Sequence, residues 1–390
     1  MMGKFTRATL VILGMFVALP AMAQGVLKVG VVLPLTGPFS LAGLQALAGM
    51  QTWLATHDPV VAGRRIELVV RDDTANPAMA RRLSQELVLN DKVSVLAGYG
   101  LTPMGAAAAP IATQARVPML MTGVGARDIT GMSPFAVRVF ETLPQVAYAL
   151  AQWAHAQGIA KVVTLVADYT PGHDTEAGFI RAFRALGGEI LASLRTPVDT
   201  SDFSAYLQRA RDARPQAVMV FQPEGPGGVM IRQYASRGML RDGIKFLGAG
   251  DIVPEEVIAH GDASFALGTN SAQAYTSVID TPENLAFVSA YRRQADGAAP
   301  DIQSVAGYDA MNLIALALGK TGGNSDGEAM VAAMKGQSWV SPRGQVSIGA
   351  TTRDITQDIY VREFRRVDGM VRNVIIGVYH QVAADPFAPQ

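Results

Sequence analysis

Hydrophobic and polar positions along this chain follow two alternating patterns. Short runs rich in Val, Leu and Ile are typical of strands buried on both faces, and longer stretches repeat their apolar residues with helical spacing. This alternation predicts an α/β fold, with further strands within 344–378. The predicted strands before that segment are 27–33, 66–71, 94–97, 119–122, 161–167, 189–194, 217–221 and 245–247.

Helices are predicted between these strands, partly from their starting residues. Asn76 precedes Pro77, and Asn accepts an N–H of the first turn while Pro lacks the N–H that would stay unpaired there. Thr281 before Pro282 is interpreted in the same way. Thr102 is predicted to cap a helix, to contact a ligand anion, or to do both. Further predicted helices are 40–55, 104–115, 175–186, 203–213, 228–236, 282–296 and 305–318.

The strand–helix alternation starts again after residue 160, which predicts two Rossmann-like lobes with parallel sheets flanked by helices. No low-complexity linker separates the two runs. In open α/β sheets, ligands bind beyond the carboxyl ends of the strands, near helix N-termini. This rule nominates six loops, at 35–40, 98–104, 122–128, 168–174, 222–227 and 248–253.

The N-terminal segment has the composition of a secretory signal peptide. Lys4 and Arg7 precede an apolar stretch at 8–19 that is too short to span a bilayer, and Ala21-Met22-Ala23 fits the small-x-small cleavage rule. We therefore expect cleavage after Ala23 and a soluble protein in the bacterial periplasm.

Composition excludes several classes of partner and cofactor. Lys and Arg together number 33, as do Asp and Glu, so nothing favours a nucleic-acid partner. The chain has no cysteine, which rules out disulfides and thiolate metal sites. None of the five histidines has the spacing of a metal-binding pair, and we expect neither a metal nor another cofactor.

Two sequence motifs resemble catalytic or cofactor signatures, but their context argues against that function. Ser325 lies in a Gly-x-Ser-x-Gly string, yet a nucleophile elbow needs a strand before it, and a helix is predicted there. The string from Gly123 to Asp128 begins like a dinucleotide fingerprint but lacks the third glycine. Both are interpreted as turns, so a secreted hydrolase is the weakest hypothesis and we expect no enzyme.

An ordered set of motifs resembles the Leu/Ile/Val-binding branch of the type I periplasmic binding proteins, the solute receptors of ABC importers. It runs through nearly the whole chain after residue 24. The motifs are Val29-Gly-Val-Val-Leu-Pro-Leu-Thr-Gly-Pro-Phe39, Glu67-Leu-Val-Val-Arg-Asp-Asp73, Ala109-Pro110, Val117-Pro-Met119, Val137-Arg-Val139 and Gly307-Tyr-Asp-Ala310.

The resemblance implies two lobes that close like a hinge around a solute, with no bond made or broken. The first lobe would comprise 24–141 and 276–352, and the second 142–275 and 353–390. Three crossovers would connect them, near Glu141, Tyr275 and Thr352. It also implies a monomer that docks on an inner-membrane permease.

The resemblance also allows the family's amino-acid site to be compared position by position. Its serine/threonine loop falls on Thr102, whereas a threonine usual in the carboxylate loop is replaced by Gly125. The aromatic residue of its first loop falls on Ala42. The acid that pairs with the ligand ammonium falls on Leu267, and a buried ammonium without that partner would cost about 3–5 kcal/mol. These departures argue against an α-amino acid.

A small carboxylate with an apolar or aromatic body is therefore the expected ligand, and the loop 168–174 resembles a subgroup associated with organic acids. Backbone N–H groups and Thr102 would hold the carboxylate, and His173 or Asp251 would bond a ring hydroxyl. Glu224 could instead pair with an ammonium, which keeps an apolar amino acid or amide as the alternative. The other candidate residues are Phe39, Tyr99, Pro103, Thr122, Val124, Gly125, Tyr169, Gly172 and Gln222.

Overall fold

The computed structural model describes residues 25–250, 252 and 263–388. The predicted signal peptide, its cleavage site and Asp251 lie outside the described residues, and so does the side chain of Glu224. No described helix is both long enough and apolar enough to cross a bilayer.

The first sheet has six strands in the order β2-β3-β1-β4-β5-β6. Strands β3, β1, β4, β5 and β6 are parallel, and β2 is an antiparallel edge strand. Their carboxyl ends therefore meet at one edge of the sheet. The strands are β1 (Val26–Leu33), β2 (Val60–Val61), β3 (Arg64–Asp72), β4 (Val95–Gly98), β5 (Met119–Met121) and β6 (Ala136–Arg138).

The second sheet has nine strands, in the order β12-β13-β14-β11-β10-β9-β7-β8, with β15 also paired to β14. Its parallel part runs from β11 to β8, and β12 to β15 join it in antiparallel pairs. The strands are β7 (Lys161–Ala167), β8 (Glu189–Thr196), β9 (Ala217–Phe221), β10 (Lys245–Ala249), β11 (Asn270–Gln273), β12 (Ser338–Ser341), β13 (Gly344–Ile348), β14 (Ile355–Val367) and β15 (Met370–Val382).

Helices cover both faces of the two sheets. The described helices are α1 (Ser40–Thr56), α2 (Pro77–Leu89), α3 (Thr102–Ala115), α4 (Leu143–Ala156), α5 (Thr170–Ala185), α6 (Ser204–Asp212), α7 (Glu224–Ser236), α8 (Pro282–Gln294), α9 (Ile302–Lys320) and α10 (Gly327–Met334).

The strands bury side chains on both faces, as their continuous apolar runs predict. In β7, Val162 packs into one apolar core with α4 and α5, and the neighbouring Val163 packs into another with α6 and α7. Two cores flank the first sheet in the same way. Burial on both faces is what a parallel sheet between helices requires.

Helices α1 and α9 cross so closely that glycine is needed on both. A Cβ at Gly49 would lie 1.9 Å from the carbonyl oxygen of Ser304, and one at Gly307 would lie 2.1 Å from that of Ala46. Neither approach is possible for a larger residue. This crossing gives Gly307, part of the family resemblance, a physical role in packing.

A buried polar network links the two sheets where β14 begins. Arg343 bonds Asp309 at 2.6 Å, the carbonyl oxygen of Val139 and the side chain of Gln357, and neither Arg343 nor Asp309 is exposed. Gln357 in turn donates to Gln145 at the start of α4. Since each charge is paired and hydrogen-bonded, the network avoids the penalty of an isolated buried charge.

Every predicted strand is present, and the α/β expectation is confirmed. The caps at Asn76 and Thr281 are confirmed, since each side chain accepts an N–H of its helix. The prediction that Thr102 caps a helix is wrong. Thr102 is already the first residue of α3, and Leu101 occupies the cap position. The residue boundaries of the lobes and their crossovers stay predictions.

Candidate functional site

A cavity of about 120 Å³ lies where the carboxyl ends of both sheets face each other. Most of its lining residues follow directly after a strand, as the rule for open α/β sheets predicts. The lining comprises Phe39, Ala42, Gly100, Leu101, Thr102, Pro103, Gly123, Gly125, Phe140, Glu141, Leu143, Tyr169, Pro171, Phe221, Gln222, Pro223, Gly250 and Gln303. For comparison, an engineered apolar cavity of about 150 Å³ holds a benzene molecule, so this space has the order of size of one aromatic ring.

One wall, which we call the first wall, consists of the backbone at 100–103 and 123–125. The two segments touch so closely that a Cβ at Gly123 would lie 2.6 Å from the carbonyl oxygen of Gly100. The N–H groups of Leu101, Thr102 and Gly125 have no acceptor within the described residues. Unpaired N–H groups at the start of α3 attract negative charge, because the helix dipole adds to their own.

Arg138 holds the first wall in place from behind. Its Nη1 donates to the carbonyl oxygens of Val124, at 3.1 Å, and Ala126, and its Nε donates to Asp354 at 2.7 Å. Both side chains of the ion pair are buried. The bonds fix the carbonyl groups of the loop, so the N–H of Gly125 keeps its direction.

Asp72 fixes the neighbouring loop, which carries Phe39. Its carboxylate accepts hydrogen bonds from the N–H groups of Leu35 and Thr74 and from the Thr36 hydroxyl. Burial acts to raise the pKa of Asp72, but these bonds outweigh it and lower the pKa. The carboxylate therefore stays ionised and holds the loop near the cavity.

The opposite wall, which we call the second wall, is largely aromatic. Tyr169 and Phe221 stack with ring centroids 6.2 Å apart and planes inclined by 24°. Burial raises the pKa of Tyr169, so its hydroxyl stays neutral. Gln222 lies beside them, and its side chain bonds the Thr196 hydroxyl. This wall offers flat apolar surface rather than charge.

Glu141 lies where the two walls meet, between β6 and α4. Its side chain is 2% exposed, and one carboxyl oxygen, Oε2, accepts the N–H of Ala274 at 2.7 Å. Burial raises the pKa of Glu141 to about 7, opposed by the Ala274 bond and by the charges of Arg362 and Arg343.

Six of the thirteen predicted site residues line the cavity, namely Phe39, Thr102, Pro103, Gly125, Tyr169 and Gln222. The structure places three others away from it. The hydroxyl of Tyr99 bonds Ser84 in the core, Thr122 is buried with its hydroxyl on the Gly98 carbonyl oxygen, and Val124 packs in the same core as Tyr99. Asp251 and the side chain of Glu224 lie outside the described residues.

The remaining two predicted residues, Gly172 and His173, lie within α5. A Cβ at Gly172 would lie 1.9 Å from the Ala167 carbonyl oxygen, so this glycine serves close packing. His173 is half exposed and bonds Asp168 at 2.7 Å. Asp174 also lies within α5, and its carboxylate accepts the N–H of Arg127 at 2.9 Å.

The argument from Leu267 also fails in the structure. Leu267 precedes β11, which runs parallel to β10, whereas Gly250 after β10 lines the cavity. Leu267 therefore lies at the opposite edge of the sheet and cannot mark a missing ammonium partner. By contrast, Ala42 does line the cavity, and its small side chain leaves room beside Phe39.

Sequence reasoning missed several lining residues, chiefly at the segment that joins the two sheets. Phe140, Glu141 and Leu143 follow β6 and therefore obey the same strand-end rule as the nominated loops. Glu141 was noted only as the position of a crossover. Applying the rule to every strand would have found these residues, together with Phe221 at the end of β9.

No catalytic or metal centre emerges from the residues that the structure describes. Ser325 lies in the loop between α9 and α10, where its hydroxyl accepts a bond from Arg64 at 2.8 Å. The interpretation of its motif as a helix–helix loop is confirmed. Within the described ranges, no group of three His, Cys, Asp or Glu side chains is placed to hold a metal.

Comparison with known proteins decides the family. Residues 26–369 match the model of a family described as periplasmic binding protein. The chain belongs to this family. A Leu/Ile/Val-binding protein homologue from Brucella melitensis is 39% identical over 347 residues, covering 88% of each chain. The predicted resemblance to the Leu/Ile/Val-binding branch is confirmed, and the chain is a solute receptor of that type, a periplasmic class.

Two solved structures of the family are similar over almost their whole length. A solute-binding protein of an ABC transporter from Rhodopseudomonas palustris BisB5, in complex with 3,4-dihydroxybenzoic acid, is 42% identical with a TM-score of 0.87, covering 92% of this chain and 98% of that one. Another from R. palustris HaA2, in complex with p-hydroxybenzoic acid, is 36% identical with a TM-score of 0.89, covering 94% and 100%.

Proposed function

We propose that this receptor captures a small aromatic carboxylate between its lobes and delivers it to the permease of an ABC importer. The observation that carries the proposal is the contrast between the walls of the cavity. Unpaired N–H groups lie on one side and stacked aromatic rings lie on the other. A benzoate-like ligand has the same division, a charged carboxylate attached to a flat apolar ring.

The first wall would hold the carboxylate. The N–H groups of Thr102 and Gly125 donate to its oxygens, and the Thr102 hydroxyl adds another donor. Charge-assisted hydrogen bonds of this kind are stronger than neutral ones. The start of α3 contributes its dipole, so the site needs no positively charged side chain to neutralise the anion.

The second wall would hold the ring. Tyr169 and Phe221 present their apolar faces, and Phe39 covers the ring from the first lobe. Offset or tilted aromatic pairs with centroids 4.5–7 Å apart add about 0.5–1.5 kcal/mol to the burial of apolar area. Because the ligand touches both lobes, its binding favours the closed arrangement over the open one.

The ligands of the two R. palustris proteins support this substrate class, since both are hydroxylated benzoic acids. Membership of this family also supports a receptor that binds and releases its solute without making or breaking a covalent bond. Removal of residues 1–23 would release a periplasmic protein, and its closed form, acting as a monomer, would be the state that the permease recognises.

A thermal-shift screen of protein that has been denatured, stripped of solute and refolded tests the proposal. A ligand at a hundred times its Kd adds about 2.7 kcal/mol to the free energy of unfolding. We expect benzoate or a hydroxybenzoate to raise Tm and leucine, valine and phenylalanine to leave it unchanged. Shifts with amino acids alone would contradict the proposal.

One observation favours a second candidate, an apolar amino acid. Glu141 is an acid within the cavity, and an ionised carboxylate there could pair with a ligand ammonium. The same screen separates the two candidates, because an amino acid would then raise Tm and benzoate, which lacks the ammonium, would not.

A further inference from the structure

We infer that Glu141 reads the ring of the ligand, by accepting a hydrogen bond from a ring hydroxyl, and so selects hydroxylated aromatic acids over unsubstituted ones. The inference rests on the proposed function and adds the group that sets specificity within it. Glu141 was not among the predicted binding residues.

The carboxyl group of Glu141 is directed toward the cavity. Glu141 lines the cavity and is 2% exposed, so its exposed surface faces that space rather than bulk water. Oε1 lies 3.7 Å from the Cβ position of Gly250, on the wall of the cavity. Because Gly250 has no side chain, nothing at that position covers the oxygen.

Among the described residues, only one carboxyl oxygen of Glu141 has a hydrogen-bond partner. Oε2 accepts the N–H of Ala274, whereas no donor within the described parts of the chain reaches Oε1. The nearby cations bond other groups: Arg343 bonds Asp309, and Arg362 bonds Ser271 and the Tyr275 carbonyl oxygen. In the ionised form Oε1 is therefore an acceptor at the cavity wall, and its partner has to come from the cavity.

A hydroxyl on the ligand ring suits the Oε1 acceptor of Glu141. Filling the cavity with a plain ring would remove water from Oε1 and leave a buried acceptor unpaired, which is costly. A ring hydroxyl supplies the missing donor. A site built to bond a substrate hydroxyl rejects the analogue without it far more strongly than an apolar site rejects a small change in size.

The positions of Glu141 and the first wall also set the orientation of the ligand. A ligand carboxylate placed next to Glu141 would bring two acidic groups together, so the ligand carboxylate belongs at the first wall. The ring then lies between, with its hydroxyl toward Glu141. The lone acceptor on Gln303, whose Oε1 is buried without a partner in the described chain, lines the same cavity and suits a second donor.

Calorimetric titration of refolded wild-type protein tests the inference on the ligand side. The panel is benzoate, the three monohydroxybenzoates and the three fluorobenzoates, since fluorine occupies similar space but cannot donate. We expect at least one hydroxybenzoate to bind about tenfold or more tightly than benzoate, a factor that corresponds to about 1.4 kcal/mol. The fluorobenzoate with the same ring position should bind no more tightly than benzoate.

Glu141→Gln tests the inference on the protein side. The amide keeps the size of the side chain and an acceptor for the Ala274 N–H, but it turns an NH₂ group toward the ligand. We expect the preference for the hydroxybenzoate over its fluoro analogue to fall at least fivefold. Glu176→Gln is the matched control, because Glu176 is equally buried but bonds Thr164 and Arg195 away from the cavity.

The outcomes separate the inference from the proposed function. If benzoate and every hydroxybenzoate bind the wild type equally well, the role of Glu141 is wrong while the aromatic-acid proposal stands. An unchanged preference in Glu141→Gln would also overturn it. If no aromatic acid binds, and phenylalanine or leucine binds with an affinity that Glu141→Gln abolishes, Glu141 holds an ammonium and both proposals fail.

Discussion

The two walls of the cavity differ in what holds them and in what they offer a ligand. The first wall is backbone, held in place by Arg138, and it offers N–H groups. The second wall is made of side chains, chiefly Tyr169 and Phe221, and it offers apolar surface. Under the proposed function, the backbone of the first wall anchors the ligand and the rings of the second wall recognise its shape.

Removing the support of the first wall should have the largest effect. Arg138→Met strands Asp354 as an unpaired buried carboxylate and frees the carbonyl groups of Val124 and Ala126. We expect a loss of about 3–5 kcal/mol in the free energy of unfolding, measured by urea denaturation. The double variant with Asp354→Leu should recover a large part of it. A single variant within 1 kcal/mol of the wild type would show that Arg138 does not support this wall.

The junction of the walls should respond to pH. Burial raises the pKa of Glu141 to about 7, above its usual 4.5, so the folded protein binds more protons than the unfolded chain between these values. Stability conferred by the protonated form is therefore lost as pH rises through that window. Relative to Glu141→Gln, the wild type should lose about 3 kcal/mol between pH 4.5 and 7.

Denaturation curves of both proteins across this pH range provide the measurement. Asp73, whose pKa burial raises to about 6, contributes a slope of the same sign, but it is present in both proteins and cancels in the comparison. Parallel stability profiles for the wild type and Glu141→Gln would show that burial does not raise the pKa of the Glu141 carboxyl.

Shortening the second wall should weaken binding without disturbing the first. Tyr169→Ala removes ring surface that buries the ligand, and the loss of about 2 kcal/mol corresponds to a Kd about thirtyfold weaker. Tyr169→Phe keeps the ring and should bind almost as well as the wild type. His173→Ala changes a residue within α5 whose side chain bonds Asp168, and it should leave Kd unchanged. Equal losses in all three variants would contradict the role of the ring.

Thr102→Val should have the smallest effect. It removes the hydroxyl but leaves the N–H groups of the first wall, so we expect a loss of about 1 kcal/mol, or about fivefold in Kd. Calorimetry with a hydroxybenzoate measures it. A loss above a hundredfold would mean that the hydroxyl, rather than the backbone, anchors the carboxylate.

The fold was largely predictable because strand burial leaves a strong signal in the sequence. The valine-rich runs, the caps at Asn76 and Thr281 and the strand-end loops all reflect local chemistry. The site was harder to predict, because the direction of a side chain depends on distant packing. Tyr99 follows a strand like Tyr169, yet it turns into the core to bond Ser84.

Glu141 illustrates the same limit from the other side. Its partner Ala274 lies 133 residues away, so no local pattern shows that the carboxyl is buried or that one oxygen has no donor among the described residues. The Leu267 argument failed for a related reason: a short match in sequence cannot tell which edge of a sheet a residue occupies. Both features required the assembled lobes.

A crystal structure of the protein with a bound hydroxybenzoate would test the roles of the two walls most directly. We predict that the carboxylate lies within hydrogen-bonding distance of the Thr102 and Gly125 N–H groups. The ring should pack against Tyr169 and Phe221, and the hydroxyl should bond Glu141. A ligand bound in the reverse direction, with its carboxylate at the second wall, would contradict the division of roles between the two walls.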